Sequence, residues 1–290
     1  MTAPPPILLL AGPTASGKSA RALEWALEWA ERTGGTILNA DSMQLYADVP
    51  TLTARPTADE TARVPHVLYG HLAPHETWSA GEWLRAARPY LDAATPEKPL
   101  CVVGGTGLYF NALVYGLADI PDIDETTRAQ ARETYDRAGE TAIRDFLKQH
   151  DPRAEARIAL NDRQRLCRAY EVWLQSGVAL SDWQDRTQPV LAEASYLLEI
   201  LRPERDWLYT RCDQRLEQML DHGALDEVRS LMDKGLQPDW PIMRVLGLRE
   251  CVACLTGEMT RQAALLQAQQ MTRNYAKRQM TWFRNQFPVK

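Results

Sequence analysis

The sequence predicts an α/β fold, a parallel sheet flanked by helices, with a helical insertion domain. Three observations carry this. Short apolar runs at Ile7-Leu8-Leu9-Leu10-Ala11, Thr36-Ile37-Leu38-Asn39-Ala40 and Leu100-Cys101-Val102-Val103 alternate with helical patterns, as strands buried on both faces of a parallel sheet do. Directly behind the first run, Gly12-Pro13-Thr14-Ala15-Ser16-Gly17-Lys18-Ser19 meets G-x-x-x-x-G-K-[ST] at every constrained position. Residues 122–188 are charged, helical in composition and poor in strand formers, and strand character returns only at 195–200. The predicted organisation is therefore a P-loop NTPase-like domain from residues 1–120 and 191–290, its later part mostly helical, with an insertion over 121–190.

The first strand, 7–11, feeds the glycine loop, and a helix over 19–30 follows it, which is the context the motif requires. Glycines let backbone N–H groups close around phosphate oxygens, and the helix N-terminus adds a favourable field. Lys18 then reaches the terminal phosphate, and the Ser19 hydroxyl is a ligand for Mg²⁺. Gly12 to Ser19 thus bind a di- or triphosphate. The second strand ends at Asp41, with Ser42, Gln44 and Tyr46 following. In a parallel sheet that end faces the phosphate cradle, so Asp41 is a general base, a partner of Mg²⁺, or only a cap for the next turn. The third strand ends in Gly104-Gly105-Thr106-Gly107-Leu108-Tyr109. A dinucleotide fingerprint fails there because Phe110 takes the third glycine position. What remains is a turn where backbone and hydroxyl approach a ligand, or a plain strand-to-helix turn. The Asp that motor ATPases place at the end of this strand is missing, which counts against a motor or switch NTPase.

Within the insertion, helices are predicted over 140–149 and 162–176, the second closed by Gly177. Arg163, Arg165 and Arg168 cluster just after Asn161-Asp162. The strand near 195–200 is followed by helices over 206–220, 225–234 and about 260–286. Arg202, Arg205, Arg211 and Arg215 stand where they could reach back to the phosphates. From Arg261 to Lys290 the cations are Arg261, Arg273, Lys277, Arg278, Arg284 and Lys290, with no Asp or Glu. On a helix, Arg273, Lys277 and Arg284 fall within about 40° of one another, a stripe suited to RNA phosphates or an ordinary solvated face. Cys251-x-x-Cys254 has no second pair and reads as small buried side chains.

With 33 Lys+Arg against 38 Asp+Glu the chain of 290 residues is mildly acidic, so contact with a polyanion has to rest on local clusters. Five scattered Cys fit a reduced compartment. The apolar N-terminal run lacks a basic flank and is too short for a signal peptide, and no stretch approaches a membrane span. The expected location is the cytoplasm.

Taken together these runs resemble the tRNA dimethylallyltransferases, also called tRNA isopentenyltransferases. The likeness extends through Asp41-Ser42-x-Gln44-x-Tyr46, Ala54-Arg55-Pro56-Thr57, Trp78-Ser79-Ala80-Gly81-Glu82-Trp83 and the Gly-Gly-Thr-Gly turn. It continues through Asn161-Asp162-x-Gln164-Arg165-x-x-Arg168 and Thr272-Arg273-x-Tyr275-Ala276-Lys277-Arg278-Gln279-x-Thr281-Trp282-Phe283-Arg284. The zinc finger of some eukaryotic members is absent, so a bacterial type is expected. The resemblance implies transfer of a dimethylallyl group from dimethylallyl diphosphate to N6 of adenosine 37, next to the anticodon, in tRNAs reading codons that begin with U. It implies the tRNA anticodon stem-loop and the prenyl diphosphate as partners; Mg²⁺, from the phosphate-loop reading, is the expected cofactor and a monomer the expected state. Asp41 would be the base, and Thr106 and Arg211 would contact the diphosphate, as catalytic residues. Asp41, Ser42, Gln44, Tyr46, Gln164, Arg165, Arg168, Arg273, Lys277, Arg278 and Arg284 would meet the tRNA. The competing readings are an adenylate isopentenyltransferase, using AMP, ADP or ATP, which would need neither the insertion nor the acid-free C-terminal helix, and a small-molecule P-loop kinase.

Overall fold

In the computed structural model the described residues are 5–30 and 35–287, with the backbone alone at 29 and 30. Lys290 of the basic segment lies outside them. Strands β1 (Ile7–Ala11), β2 (Thr36–Asn39), β3 (His66–Val67), β4 (Leu100–Gly104) and β5 (Tyr196–Ile200) form one sheet in the order β3-β2-β4-β1-β5. Every pairing is parallel. The register sets Ala11 beside Gly104 and Asn39 beside Val103, so β1, β2 and β4 end level with one another. Their three following loops therefore leave the sheet side by side, at the carboxyl edge where open α/β sheets bind ligands.

Central strands β1 and β4 are buried at every residue, which is why their sequences run apolar without alternation. Leu8, Leu10, Ile37, Cys101 and Val103 form one core cluster with Ala22 and Ala26 of α1 (Lys18–Ala30). Full burial of such side chains contributes about 1.5–3 kcal/mol each. It anchors the strands from which the three loops leave the sheet. Strand β3, two residues long, is too short to show a period in the sequence. Helix α3 (Ala80–Asp92) starts with a capping box from Ser79 and Glu82. It sends Trp83, fully buried, to donate from its indole nitrogen to the Asn39 carbonyl at 2.8 Å. Helix α2 (Ala58–Arg63) is capped in the same way by Thr57 and Glu60.

The chain divides into two compact units, residues 1–114 with 191–290, and residues 115–190. Helix α4 (Gly107–Tyr115) leads out of the first. The second holds α5 (Glu125–His150), α6 (Pro152–Arg157), α7 (Arg163–Ser176) and α8 (Leu180–Asp185). Helix α5 is longer than the predicted 140–149. Gly139, at φ 77 and ψ 179, breaks it, and the first half, 125–138, is too polar to show an apolar stripe. Its amino end is capped by the Asp124 carboxylate on Thr127. Ile143 and Leu147 pack on Leu166 and Ala169 of α7. Helix α7 begins at the Asp162 cap and ends at Gly177 in the left-handed region, φ 67, as its sequence signals require. A half-buried hub, Arg144, pairs with Glu140 and Glu155 and donates to the carbonyls of Ile158 and Ala159. It fixes the turn that launches α7.

After β5 come α9 (Arg205–Asp221), α10 (Ala224–Asp233), α11 (Leu248–Leu255) and α12 (Arg261–Gln286). Helix α12 packs along α9. Cys251 of the Cys-x-x-Cys pair is buried, as the five described thiols mostly are, and all are free. No helix among the described residues is long and apolar enough to cross a membrane.

Candidate active site

The loop after β1 wraps over the start of α1, with Ala15 at φ 62 and Gly17 at φ 88 turning its backbone. Thr14, Ala15, Ser16 and Lys18 are all buried. The Ser16 hydroxyl is buried without a partner; it lies inside the loop, 2.9 Å from where a side chain on Gly12 would begin. An orphaned hydroxyl donor beside backbone amides matches an anionic oxygen that arrives with a ligand. Lys18 donates to the Pro13 carbonyl at 3.2 Å. Burial pulls its pKa down to about 8, with Arg215 pushing the same way and Asp41 and Cys212 opposing. Ser19 is exposed at the helix start.

Two C-terminal helices hold this loop in place. From α9, Arg211 Nε donates to the Ala15 carbonyl at 3.1 Å while its guanidinium stacks on Trp207, and Arg215 donates to the Thr14 hydroxyl. From α12, the buried amide of Gln279 accepts from Thr14 N–H and donates to the Gly105 carbonyl, both at 2.8 Å. Gln279 thus ties the phosphate loop to the turn after β4. The sequence motif that contains Gln279 assigns it no role. Its signal is a lone amide among apolar neighbours on a helix face.

The glycines of the Gly-Gly-Thr-Gly turn pack closely against other parts of the chain. A side chain on Gly104 would begin 2.0 Å from the Ala40 carbonyl, one on Gly105 2.3 Å from Gln279, and one on Gly107 2.2 Å from Trp282. Glycine is required there for close packing of the chain on itself. Thr106 accepts from Ser42 N–H at 2.9 Å and donates to the Ser42 hydroxyl at 3.2 Å, binding this turn to the Asp41 loop.

Asp41 does cap the 3₁₀ turn 42–45, accepting from Met43 N–H through Oδ1 at 3.1 Å. Its Oδ2 takes no part in that cap and lies 3.4 Å from where a side chain on Gly105 would begin. The capping role and a chemical one are compatible, because they use different oxygens. A pocket beside the loop is lined by Thr14, Asp41 and Arg215 together with apolar Met43, Leu52, Leu216, Met219, Val245 and Leu246, and by Tyr275. Burial raises the Tyr275 phenol far above its usual range, with Asp41 adding to the effect, so it stays protonated.

The remaining expected RNA contacts divide by surroundings. Gln44 donates to the Thr53 and Ala54 carbonyls, and Tyr46, 3% exposed, donates its hydroxyl to the Glu76 carbonyl. These two side chains hold loops, and the burial of Tyr46 leaves it no open face for a tRNA. On α7, Gln164 and Arg165 are exposed and Arg168 half-buried, with Arg165 paired to Asp162. On α12, Lys277, Arg278 and Arg284 are exposed. Arg273 differs: both oxygens of Asp213 accept from it, at 2.6 and 2.7 Å. Of the expected stripe, Lys277 and Arg284 stand exposed, while Arg273 is half-buried in its pair with Asp213; Arg278 is exposed about 100° round the helix from Lys277.

The chain is similar to known proteins in sequence and fold. The family model of IPP transferases matches residues 44–286. A tRNA dimethylallyltransferase of Caulobacter sp. (strain K31) is 52% identical over 283 residues, 97% of this chain and 90% of the relative. One from Phenylobacterium zucineum (strain HLK1) matches to the same extent. The crystal structure of a tRNA isopentenylpyrophosphate transferase from Staphylococcus epidermidis superposes with a TM-score of 0.65 at 31% identity, covering 98% of this chain and 92% of that one. A eukaryotic dimethylallyltransferase shares the fold, with a TM-score of 0.81 at 24% identity over 96% of this chain and 69% of that one. On these matches, which run through both units, the chain belongs to the IPP transferase family.

Proposed function

We propose that the chain transfers a dimethylallyl group from dimethylallyl diphosphate to N6 of adenosine 37 in tRNAs reading codons that begin with U, acting as a cytoplasmic monomer. One observation carries the reading: a single pocket is lined by Thr14 of the phosphate loop, the Asp41 carboxylate and an apolar wall. A kinase site needs no wall of Leu, Met and Val beside Asp41, whereas a five-carbon allylic chain is matched by one.

The chemistry follows from charge. The allylic C–O bond breaks as the N6–C bond forms, and its electron pair leaves on the diphosphate. Lys18, the loop amides and the hydroxyl of Ser16 meet that growing negative charge. Arg211 and Arg215 flank it from α9. An exocyclic amine is a weak nucleophile, and Asp41 accepts its proton as the bond forms, which is worth about 10²–10⁴-fold. Thr106 keeps the Asp41 loop on the turn after β4. No group of three or more His, Cys, Asp or Glu among the described residues could hold a metal. The exposed Ser19 hydroxyl at the start of α1 is the side chain that would hold Mg²⁺ beside the diphosphate. Bound there, the ion would supply charge neutralisation for the leaving diphosphate. The target base has to leave the anticodon stack, at a cost of a few kcal/mol. Ser42, Gln164, Arg165 and Arg168, with Lys277, Arg278 and Arg284, are the side chains offered to the RNA, and the helical insertion 121–190 acts as a tRNA contact.

Labelled dimethylallyl diphosphate offered with unmodified tRNA, and separately with AMP, ADP and ATP, tests the reading. Label entering tRNA alone, with one pyrophosphate released per group transferred, is expected. Label in free adenylate, or consumption of ATP, would overturn it.

A further inference from the structure

Asn39, the last residue of β2, is wholly buried, where an amide side chain has to find partners. It finds them chiefly on one residue. Its Oδ1 accepts from Asp41 N–H at 2.8 Å, and its Nδ2 donates to the Asp41 carbonyl at 3.0 Å. A single side chain thereby holds both backbone polar groups of Asp41.

The same Nδ2 donates to the Leu68 carbonyl at 2.8 Å. Leu68 sits at φ 60, a conformation that a leucine keeps only under constraint from its surroundings. Just beyond it, Gly70 and His71 donate to the carbonyls of Gln44 and Leu45, in the turn that Asp41 caps. Asn39 is itself braced, since its carbonyl accepts from Trp83, and Trp83 stacks on Tyr109 at 4.3 Å. Asp41 is thus gripped through its backbone on one side and through Oδ1 by Met43 on the other. Oδ2, beside Gly105, is left without a hydrogen-bond partner among the described residues, and Asp41 lines the pocket.

We propose that Asn39 is a positioning residue that fixes the backbone of Asp41 so that Oδ2 stays where the amine proton departs. This inference rests on Asp41 being the base. Displacing a catalytic group by about 1 Å can cost on the order of 10²-fold. Loosening Asn39 should therefore lower kcat while leaving the diphosphate cradle alone.

The test is a four-enzyme cycle of wild type, Asn39→Ser, Asp41→Asn and the double variant. It measures kcat at saturating substrates, KM for dimethylallyl diphosphate, and pyrophosphate affinity by calorimetry. Asn39→Ser should lose about 10–10²-fold in kcat, with pyrophosphate affinity within about threefold of wild type. Introduced into Asp41→Asn, it should cost less than about threefold, because the group it positions is gone. Unchanged kcat in Asn39→Ser, or the same loss in both backgrounds, would overturn the proposal. Full activity in Asp41→Asn alone would instead remove the base, and the inference with it; that failure is read from a different variant. Should Asn39→Ser not bind pyrophosphate, Trp83→Phe takes its place, removing only the brace on the Asn39 carbonyl. A few-fold kcat loss that disappears in the Asp41→Asn background supports the proposal, and an additive one contradicts it.

Discussion

Raising the pH should weaken prenyl-diphosphate binding through Lys18. The side chain is 9% exposed, and burial brings its pKa down from 10.5 to about 8 in the empty site. A bound diphosphate needs the ammonium form. From pH 7.5 to 9.5 the charged fraction falls from roughly three-quarters to about 0.03, so affinity should drop roughly 25-fold, or about 1.9 kcal/mol. The last ionisation of the ligand, near about 6 for phosphate groups, lies below this window and does not offset it. Calorimetry in two buffers of different ionisation enthalpy reads the same event as proton uptake, rising from about a quarter of a proton to nearly one per ligand. Lys18→Arg, charged throughout, should show neither the slope nor the uptake. The sign for stability is opposite. Because the folded pKa is depressed, the unfolded chain binds the extra proton between about 8 and 10.5, and the free protein gains up to about 3 kcal/mol from this group as pH rises through that window. Flat affinity with no proton uptake from pH 7.5 to 9.5 would refute the reasoning.

Asp41→Ala should lower turnover by about 10²–10⁴-fold while tRNA still binds in a filter assay; near-normal turnover would remove Asp41 from the chemistry. Gln279→Ala strands Thr14 N–H and the Gly105 carbonyl, a cost of about 1–3 kcal/mol for each group left unsatisfied. It should therefore lower the melting temperature and pyrophosphate affinity together, and a loss of one without the other would contradict the coupling. Replacing Lys277, Arg278 and Arg284 by Ala should flatten the log–log dependence of tRNA affinity on salt by up to about one unit per residue. Arg273→Ala should instead destabilise the fold by leaving Asp213 unpaired, with the salt slope kept; a slope flattened as much as in the triple variant would restore Arg273 to the interface. Gly104→Ala, whose side chain would begin 2.0 Å from the Ala40 carbonyl, should prevent the soluble fold from forming in a thermal melt.

The sheet was legible because its central strands are buried on both faces, which leaves unbroken apolar runs, and the phosphate loop because its glycines and lysine have narrow tolerances. The helix at 163–176 carried its own start and stop signals in Asp162 and Gly177. Helix 125–138 was illegible, being polar on all sides up to Gly139. Side-chain partners were harder. Nothing in the spacing of Arg273, Lys277 and Arg284 shows that Asp213, sixty residues earlier, answers the first of them. The glycines after β4 spoke of close approach without saying to what, and the neighbours proved to be Ala40, Gln279 and Trp282. Roles that depend on pairing across the fold, such as those of Gln279 and Asn39, need the coordinates of both partners.

The central claim is that one pocket joins a five-carbon chain to an adenosine beside the anticodon. It is tested most directly by incubating the protein with dimethylallyl diphosphate, Mg²⁺ and unmodified tRNA, then digesting the RNA and locating the added group by mass spectrometry. One dimethylallyl unit on the base of adenosine 37, formed with wild type and lost with Asp41→Asn, is the expected result. An unmodified tRNA, or a group placed on any other nucleotide, would contradict it.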